Sequence, residues 1–303
     1  MNRFNFRTNS FLVWCYPKVV PELPEVETVR KGLAKQLLGE SIAHVNLRRE
    51  GLRFPFPKGF KLGLEGRRIL QIDRRAKYLL IRFDDDSTLL SHLGMTGKFS
   101  LYSSNDVPRE FGKHDHVIVT MGDGGVAIYT DHRRFGYMDL IPPGGEGENR
   151  HLAKLGSEPL SDDFDAKLLC EKLRGKKSPI KTALLDQRVV AGLGNIYVCE
   201  ILFRAGISPR RTSSTVGGKS VKVTKRAERL VKETKQVLSE AIEAGGSTIS
   251  DFATVDGDMG YFAHSFQVYG REGENCHNSR CSGVISRILQ GGRSTFYCPK
   301  CQR

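Results

Sequence analysis

The sequence predicts an α+β multidomain protein: an N-terminal antiparallel β-sandwich with a helix at its start, an all-helical middle unit and a small C-terminal hairpin module. Three observations carry this reading. Seven short runs of alternating apolar and polar residues, separated by turn signals, fill the stretch from Ile42 to Ile141. After Pro142 to Gly147 (PPGGEG) the apolar period lengthens to that of helices. Four of the seven cysteines crowd the end of the chain, from Cys276 to Cys301. A length of 303 residues suits two ordinary domains and an appended module.

Residues 1–20 form a separate leader. Arg3, Arg7 and Lys18 are its only charged residues, and its apolar run, Phe11 to Tyr16, is too short and poorly flanked for a signal peptide. No stretch approaches the ~20 apolar residues that span a bilayer, which argues against a membrane role. From Pro24 a helix is predicted. Proline sits in its first turn, Glu25 and Glu27 face the positive end of the dipole, and Val26, Val29, Leu33 and Leu37 line one side before Gly39 stops it.

The predicted strands are Ile42 to Leu47, Arg68 to Asp73, Tyr78 to Phe83, Thr88 to Leu93, His116 to Met121, Val126 to Tyr129 and Tyr137 to Ile141. Turns such as Asp84-Asp85-Asp86 and Gly122 to Gly125 separate them, so an antiparallel sandwich follows. In the middle unit, Ser178-Pro179 reads as a cap followed by proline at the first helical position. A long amphipathic helix places Ala227, Leu230, Val231, Leu238, Ala241 and Ile242 on one stripe before Gly245-Gly246. Between two apolar helical stretches, Ala191-Gly192-Leu193-Gly194-Asn195 is either a phosphate-binding nest or a plain interhelical turn.

Cys276-x4-Cys281 and Cys298-x2-Cys301, sixteen residues apart, have the spacing of four thiolates around one tetrahedral Zn²⁺. An odd cysteine total without a secretory signal points to a reducing compartment rather than a disulfide framework. With four protein ligands such a site is structural, and His277, adjacent to Cys276, is a surface residue. The hairpin would present Arg287, Gln290 and Arg293, the last after Gly291-Gly292, where a phosphate can approach the backbone. A net charge of +13 and a pI near 9.5 favour a polyanionic partner, nucleic acid before acidic lipid.

Five motifs in order carry a more specific signal. They are Pro21-Glu22-Leu23-Pro24-Glu25, Lys77 after Arg75-Ala76, His92-Leu93-Gly94-Met95-Thr96-Gly97, Asp131 to Gly136 (DHRRFG), and Gly192 to Tyr197 followed by the hairpin that ends Cys298-Pro299-Lys300-Cys301-Gln302. From Pro21 to Arg303 the chain resembles the bacterial formamidopyrimidine-DNA glycosylases. The resemblance implies that the middle unit, 151–263, is a helix-two-turn-helix DNA-binding domain, between a catalytic sandwich at 21–150 and a zinc hairpin at 264–303. It implies a bifunctional enzyme of base-excision repair that removes oxidised purines opposite cytosine in duplex DNA and nicks the strand. Such an enzyme would act as a monomer in the bacterial cytoplasm with one structural Zn²⁺.

By the same resemblance, the nitrogen of Pro21 attacks C1′ of the damaged nucleoside and Glu22 handles the protons at the sugar. Glu25 either orients the amine or is an ordinary first-turn acid. Lys77 grips the flanking phosphates; Met95, Arg133 and Phe135 fill the void left by the flipped base. His114, Lys177, Asn195 and Arg293 complete the DNA-binding set. A loop from Phe252 to Tyr261, with Gly257 and Gly260, would cover the lesion.

Two features depart from the pattern. The first cysteine pair encloses four residues where many relatives have two, which zinc tolerates. The second is that Pro21 is not terminal, and an amide nitrogen is not a nucleophile. The expectation is that the working protein begins at Pro21, with Val20 standing where a GUG start codon would be read as methionine; proteolysis of the leader is the alternative. Three rivals remain at this point: the sister glycosylase endonuclease VIII, a non-catalytic zinc-containing DNA-binding protein, and Lys77 as an internal Schiff-base former. Leu23, Glu27-Thr28-Val29 and the Arg133/Phe135 pair favour the purine enzyme over the first.

Overall fold

The computed structural model describes residues 20–247 and 262–303. The leader, except Val20, and the loop from Phe252 to Tyr261 lie outside the described residues. Helix α1 (Leu23–Leu37) starts with Glu22 as N-cap and Pro24 in its first turn, and the Glu25 carboxylate accepts the Glu22 N–H at 2.9 Å. Val26, Val29, Leu33 and Leu37 are buried in the sandwich core, whereas Leu23 belongs to the core of the helical unit. The first turn of α1 is therefore seated where the two cores meet. Gly39 follows at φ +86°, in the left-handed region.

The sandwich is two four-stranded antiparallel sheets. One has the order β1 (Ile42–Leu47), β6 (Asp115–Met121), β7 (Val126–Asp131), β5 (Gly97–Tyr102); the other β2 (Ile69–Arg75), β3 (Tyr78–Phe83), β4 (Thr88–His92), β8 (Tyr137–Ile141). A short helix, α2 (Phe60–Leu64), contributes Phe60 and Leu64 to the same core. The seven predicted strands are present, three with the predicted ends and four with an end shifted by one or two residues, and β5 is an eighth that periodicity overlooked. Its sequence alternates, but it opens on Gly97, which reads as the tail of the preceding turn. That glycine is needed because a Cβ there would lie 2.2 Å from the Tyr129 hydroxyl. β2 runs two residues beyond its predicted end to a tight turn at Ala76-Lys77, with Ala76 at φ +53°.

The middle unit comprises α3 (Ala166–Leu173), α4 (Ile180–Leu185), α5 (Asn195–Arg204), α6 (Ser214–Gly217) and α7 (Lys225–Glu243). Asp165 caps α3 by accepting from Leu168 N at 2.7 Å, and Thr224 caps α7 by accepting from Ala227 N at 3.1 Å. The predicted α7 stripe faces the core, with Ile242 at its margin. Pro179 is the cap residue of α4 rather than its first helical residue, because the Ser178 carbonyl is taken by Ser213 and the Ile180 N–H donates to Arg211 O. The stretch read as a linker, 142–147, is pinned down by Glu146, which pairs with Arg82 and accepts from Thr88.

At the chain end, β9 (Ser286–Gln290) and β10 (Arg293–Tyr297) form a hairpin through Gly291 and Gly292, both at positive φ as a two-residue primed turn requires. Sandwich and helical unit are joined by a charged knot. Glu158 takes Arg74 at 2.8 Å, Arg75 at 2.7 Å and the N–H of Ala76, and Arg74 also reaches Glu27 at 2.9 Å. The knot fixes the turn that carries Lys77. Among the described residues, no helix is long and apolar enough to cross a membrane.

Candidate active site and nucleic-acid interface

The Gly192-Leu193-Gly194 loop ends at the start of α5, and its glycines exist for contact with the chain's beginning. A Cβ on Gly194 would sit 2.1 Å from Cδ of Glu22, and one on Gly192 would sit 2.6 Å from Leu23. Glu22 is thereby laid on the helix start, where its carboxylate accepts from Ile196 N at 3.0 Å and lies 3.5 Å from Tyr197 N. The amides that the nest reading left for phosphate are thus occupied by a carboxylate of the chain itself. Burial pushes the Glu22 carboxyl up to about 7, against the opposing pull of Lys77 and the Ile196 N–H. Such a group holds or releases a proton near neutrality. Pro21, beside it, is buried, and its nitrogen is in the peptide bond to Val20.

The Glu25 carboxylate spends its hydrogen bonds on residues other than Pro21. It is fully buried and ties three segments together: Oε2 accepts from Glu22 N, and Oε1 accepts from Tyr197 OH at 2.6 Å, Ser247 N at 2.8 Å and Ser247 Oγ at 2.7 Å. Glu25 is thus a first-turn helix acid that fixes the backbone next to Pro21.

Lys77 is half-buried at the β2–β3 turn, and its ammonium is held below the ordinary lysine range by burial and by Arg293, with Glu22 opposing. Arg293 is exposed at the hairpin turn. Asn195 donates to the Ser294 carbonyl at 2.9 Å, and its Oδ1 is buried without a partner. Lys77, Asn195 and Arg293 thus gather around Glu22 from three parts of the chain. Three neighbours were given no role at the site by the sequence. Lys181 is fully buried, donates to Thr295 Oγ1 at 2.6 Å and Ser294 O at 3.2 Å, and is depressed by burial and Arg293. His92 lies within electrostatic reach of Lys77; burial and that ammonium push it down to about 4, so the ring is neutral. Tyr269 lies beside Asn195 and is pushed up to about 12 by burial.

Met95, Arg133 and Phe135 come together on two adjoining turns. Asp131, fully buried, accepts from the Thr96 hydroxyl and from Gly136 N at 2.8 Å, while Arg133 N donates to Thr96 Oγ1 at 3.0 Å. Gly94, at φ +64°, lets the turns touch: a Cβ there would be 2.3 Å from Gly136 N. The Arg133 guanidinium lies 4.6 Å above the ring of Phe135, which is 42% exposed, an unusual setting for a phenylalanine and one that leaves it available to a partner. His114 stands on the same side of the sandwich, beside His132. Lys177 is exposed at the α4 entrance and is not part of the Glu22 cluster, where Lys181 stands instead.

The four cysteine sulfurs lie within 4.8 Å of one another, with Cys276–Cys301 and Cys281–Cys298 each at 3.7 Å. A tetrahedron of Zn–S bonds of about 2.3 Å has edges of about 3.75 Å, so the set fits zinc. N–H groups point at sulfur from Gly283 (3.3 Å) and Cys301 (3.5 Å), and a Cβ on Gly283 would lie 2.8 Å from the Cys298 sulfur. One structural zinc belongs here. His277 is exposed and outside the cluster. Arg287 pairs with Glu272 at 2.6 Å and Gln290 donates to Pro209 O, so of the three residues expected on the hairpin only Arg293 is presented freely.

Comparison with known proteins agrees along the chain. Family models match for the formamidopyrimidine-DNA glycosylase N-terminal domain at residues 20–138, for the H2TH domain of the same enzymes at 155–253, and for the zinc finger found in FPG and IleRS at 279–303. The formamidopyrimidine-DNA glycosylase of Beijerinckia indica is 50% identical over 288 residues, covering 94% of this chain and all of the relative, and that of Caulobacter vibrioides is 49% identical over 292 residues, covering 93% of this chain and all of the relative. Among solved structures, the MutM (Fpg) protein of Thermus thermophilus superposes with a TM-score of 0.80 at 38% identity, covering 93% of this chain and 98% of that one. A Lactococcus lactis FPG variant in complex with Fapy-dG containing DNA gives 0.82 at 39% identity, covering 93% and 100%. A MutM complex with DNA containing carbocyclic 8-oxo-G gives 0.81 at 39%, with the same coverage. The chain belongs to the formamidopyrimidine-DNA glycosylase family.

Proposed function

We propose that this protein excises oxidised purines, 8-oxoguanine and formamidopyrimidines, from duplex DNA where they face cytosine, and then cuts the strand as a lyase. The observation that carries the reading is the Glu22 carboxyl: buried against the α5 start, shifted to about 7, next to Pro21 and within reach of Lys77. Two of the structural relatives were solved with DNA bearing these lesions, which supports the substrate class.

In the form whose chain begins at Pro21, the secondary amine adds to C1′, the C1′–N bond to the base breaks and the base leaves with the amine proton, while Glu22 protonates the opening sugar ring oxygen. The product is an iminium between Pro21 and C1′. Its nitrogen carries no hydrogen, so it cannot relax to a neutral imine. The persistent positive charge draws electrons from the C2′–H bond, whose proton Glu22 accepts, and the 3′ phosphate leaves; a second elimination releases the 5′ phosphate. Lys77, Asn195 and Arg293 hold the flanking phosphates. Met95 and Phe135 fill the space of the extruded nucleotide, while Arg133 donates to the orphaned cytosine. The zinc, closed by four thiolates, supplies cross-linking and no reactive position.

Trapping with borohydride on an 8-oxoguanine duplex tests the assignment. The form starting at Pro21 gives a covalent adduct, Lys77→Ala retains trapping at reduced yield, and Pro21→Gly gives little. Loss of the adduct in Lys77→Ala with full retention in Pro21→Gly would move the nucleophile to Lys77.

A further inference from the structure

Where the C-terminal hairpin meets the helical unit, the molecule carries a second cationic cluster, which the chemistry above leaves unused. A cavity of about 560 Å³ opens there, lined by Arg210, Arg211 and Arg303 together with Ser208, Thr212 and Gln302, and by no Asp or Glu. Arg226, in the first turn of α7, faces Arg211, whose guanidinium is held below the ordinary arginine range by burial and by that neighbour. Arg229 borders the same region: a Cβ on Gly206 would lie 3.9 Å from its Nη1 and 3.7 Å from the Cys301 carbonyl. Arg211 is half-buried and the other four are exposed, and none of the five pairs with an Asp or Glu among the described residues. The frame that holds them is pinned by the backbone. Ser208 N donates to Arg303 O at 3.3 Å, Arg303 N to Gly206 O at 3.2 Å, and Ile180 N to Arg211 O at 2.7 Å. Gln302 Nε2 donates to Ile207 O at 2.9 Å, and Arg211 spends only its Nε, on Arg303 O at 3.0 Å.

Five guanidiniums gathered on a fixed frame repel one another, and an anion set among them removes that cost. Each guanidinium is a planar fork of N–H donors that matches two oxygens at once. A carboxylate offers a single pair of oxygens and is satisfied by one fork. A phosphate unit with about two charges and three acceptor oxygens takes several. The hydroxyls of Ser208 and Thr212 donate to nothing else among the described residues and add neutral donors to the wall. The cavity is of the size that holds a small molecule, and it is concave where a tracked duplex would need an open groove. We propose that the Arg210, Arg211 and Arg303 pocket is a non-catalytic site for a phosphate dianion, carried by a free polyphosphate or by the phosphorylated end of a DNA strand. The occupant bridges the segment after α5, the start of α7 and the chain after β10, and so clips the hairpin to the helical unit. None of the residues assigned to the reaction takes part, and the site stands apart from that assignment.

The test is calorimetric titration of the zinc-loaded full chain with inorganic pyrophosphate at constant ionic strength, in the wild type, in the double variant Arg210→Gln/Arg226→Gln and in Arg293→Gln. Arg210 and Arg226 are exposed, so the double variant keeps the wild-type melting temperature and nicking rate. The wild type is expected to bind pyrophosphate, and the double variant to lose roughly tenfold or more in affinity. Arg293→Gln, which weakens anion binding in the cleft, should leave this affinity as in the wild type. Pyrophosphate should also raise the melting temperature of the wild type and of Arg293→Gln more than that of the double variant. Displacement by a 5′-phosphorylated trinucleotide but not by its 5′-hydroxyl twin assigns the dianion to a strand end, and displacement by neither assigns it to free polyphosphate. No binding by the wild type, unchanged affinity in the double variant, or loss in Arg293→Gln alone would overturn the proposal. Equal displacement by both trinucleotides would overturn it too, since a diester would then suffice.

Discussion

The proton economy of the site centres on one side chain. Glu22 is buried against a helix start, yet desolvation outweighs the helix amides and Lys77, so its carboxyl stays protonated up to about pH 7. In the proposed mechanism the acid form protonates the sugar oxygen, so kcat/KM should fall as pH rises through about 7. Glu22→Gln should lower turnover by ~10²–10⁴-fold and remove that limb, as single-turnover kinetics across pH would show. Lys181 has a different part. It spans from α4 to the hairpin backbone, and Lys181→Met should take the donor from the Thr295 hydroxyl and leave the Ser294 carbonyl to Asn195 alone, costing ~1–3 kcal/mol and raising hydrogen exchange along β10.

The two glycine-bearing turns are the elements that decide the geometry. Gly194→Ala would drive a methyl into Glu22, whose carboxylate cannot withdraw without giving up Ile196 N, so activity should fall by ~10²-fold while DNA binding persists. A mobility-shift assay beside a nicking assay separates the two effects. Much of this was legible in sequence. Strand periodicity found seven of the eight sandwich strands, the α7 stripe was read apart from Thr234 and Val237, and cysteine spacing alone assembled the zinc ligands. What stayed hidden depends on contacts far apart in the chain. Gly194 serves Glu22, a residue far earlier in the sequence, so the loop reads locally as a free nest. A lysine in a helix reads as a solvated face, and only the docked hairpin shows Lys181 to be buried. His92 and Tyr269 are pulled to the site by tertiary packing that no period announces.

At the scale of the whole molecule, the site is an interface. Pro21 and Glu22 come from the sandwich side, Ile196 and Lys181 from the helical unit, Arg293 from the hairpin, and the Glu158 knot and Glu25 hold the parts in register. Zinc should therefore matter without touching the reaction: Cys298→Ser or chelation should abolish stoichiometric metal, loosen the hairpin and cost DNA affinity through Arg293, as metal analysis and anisotropy would register. Affinity should also fall with salt, with a log–log slope of roughly −2 or steeper, since Lys77 and Arg293 each displace a counterion at about 0.9 per contact. The central claim, that the Pro21 amine is the nucleophile, is tested most directly by borohydride trapping with mass mapping of the adduct on two forms of the protein. One begins at Pro21 and the other retains residues 1–20. The account predicts an adduct on Pro21 in the first and none in the second; equal trapping and nicking by both forms would contradict it.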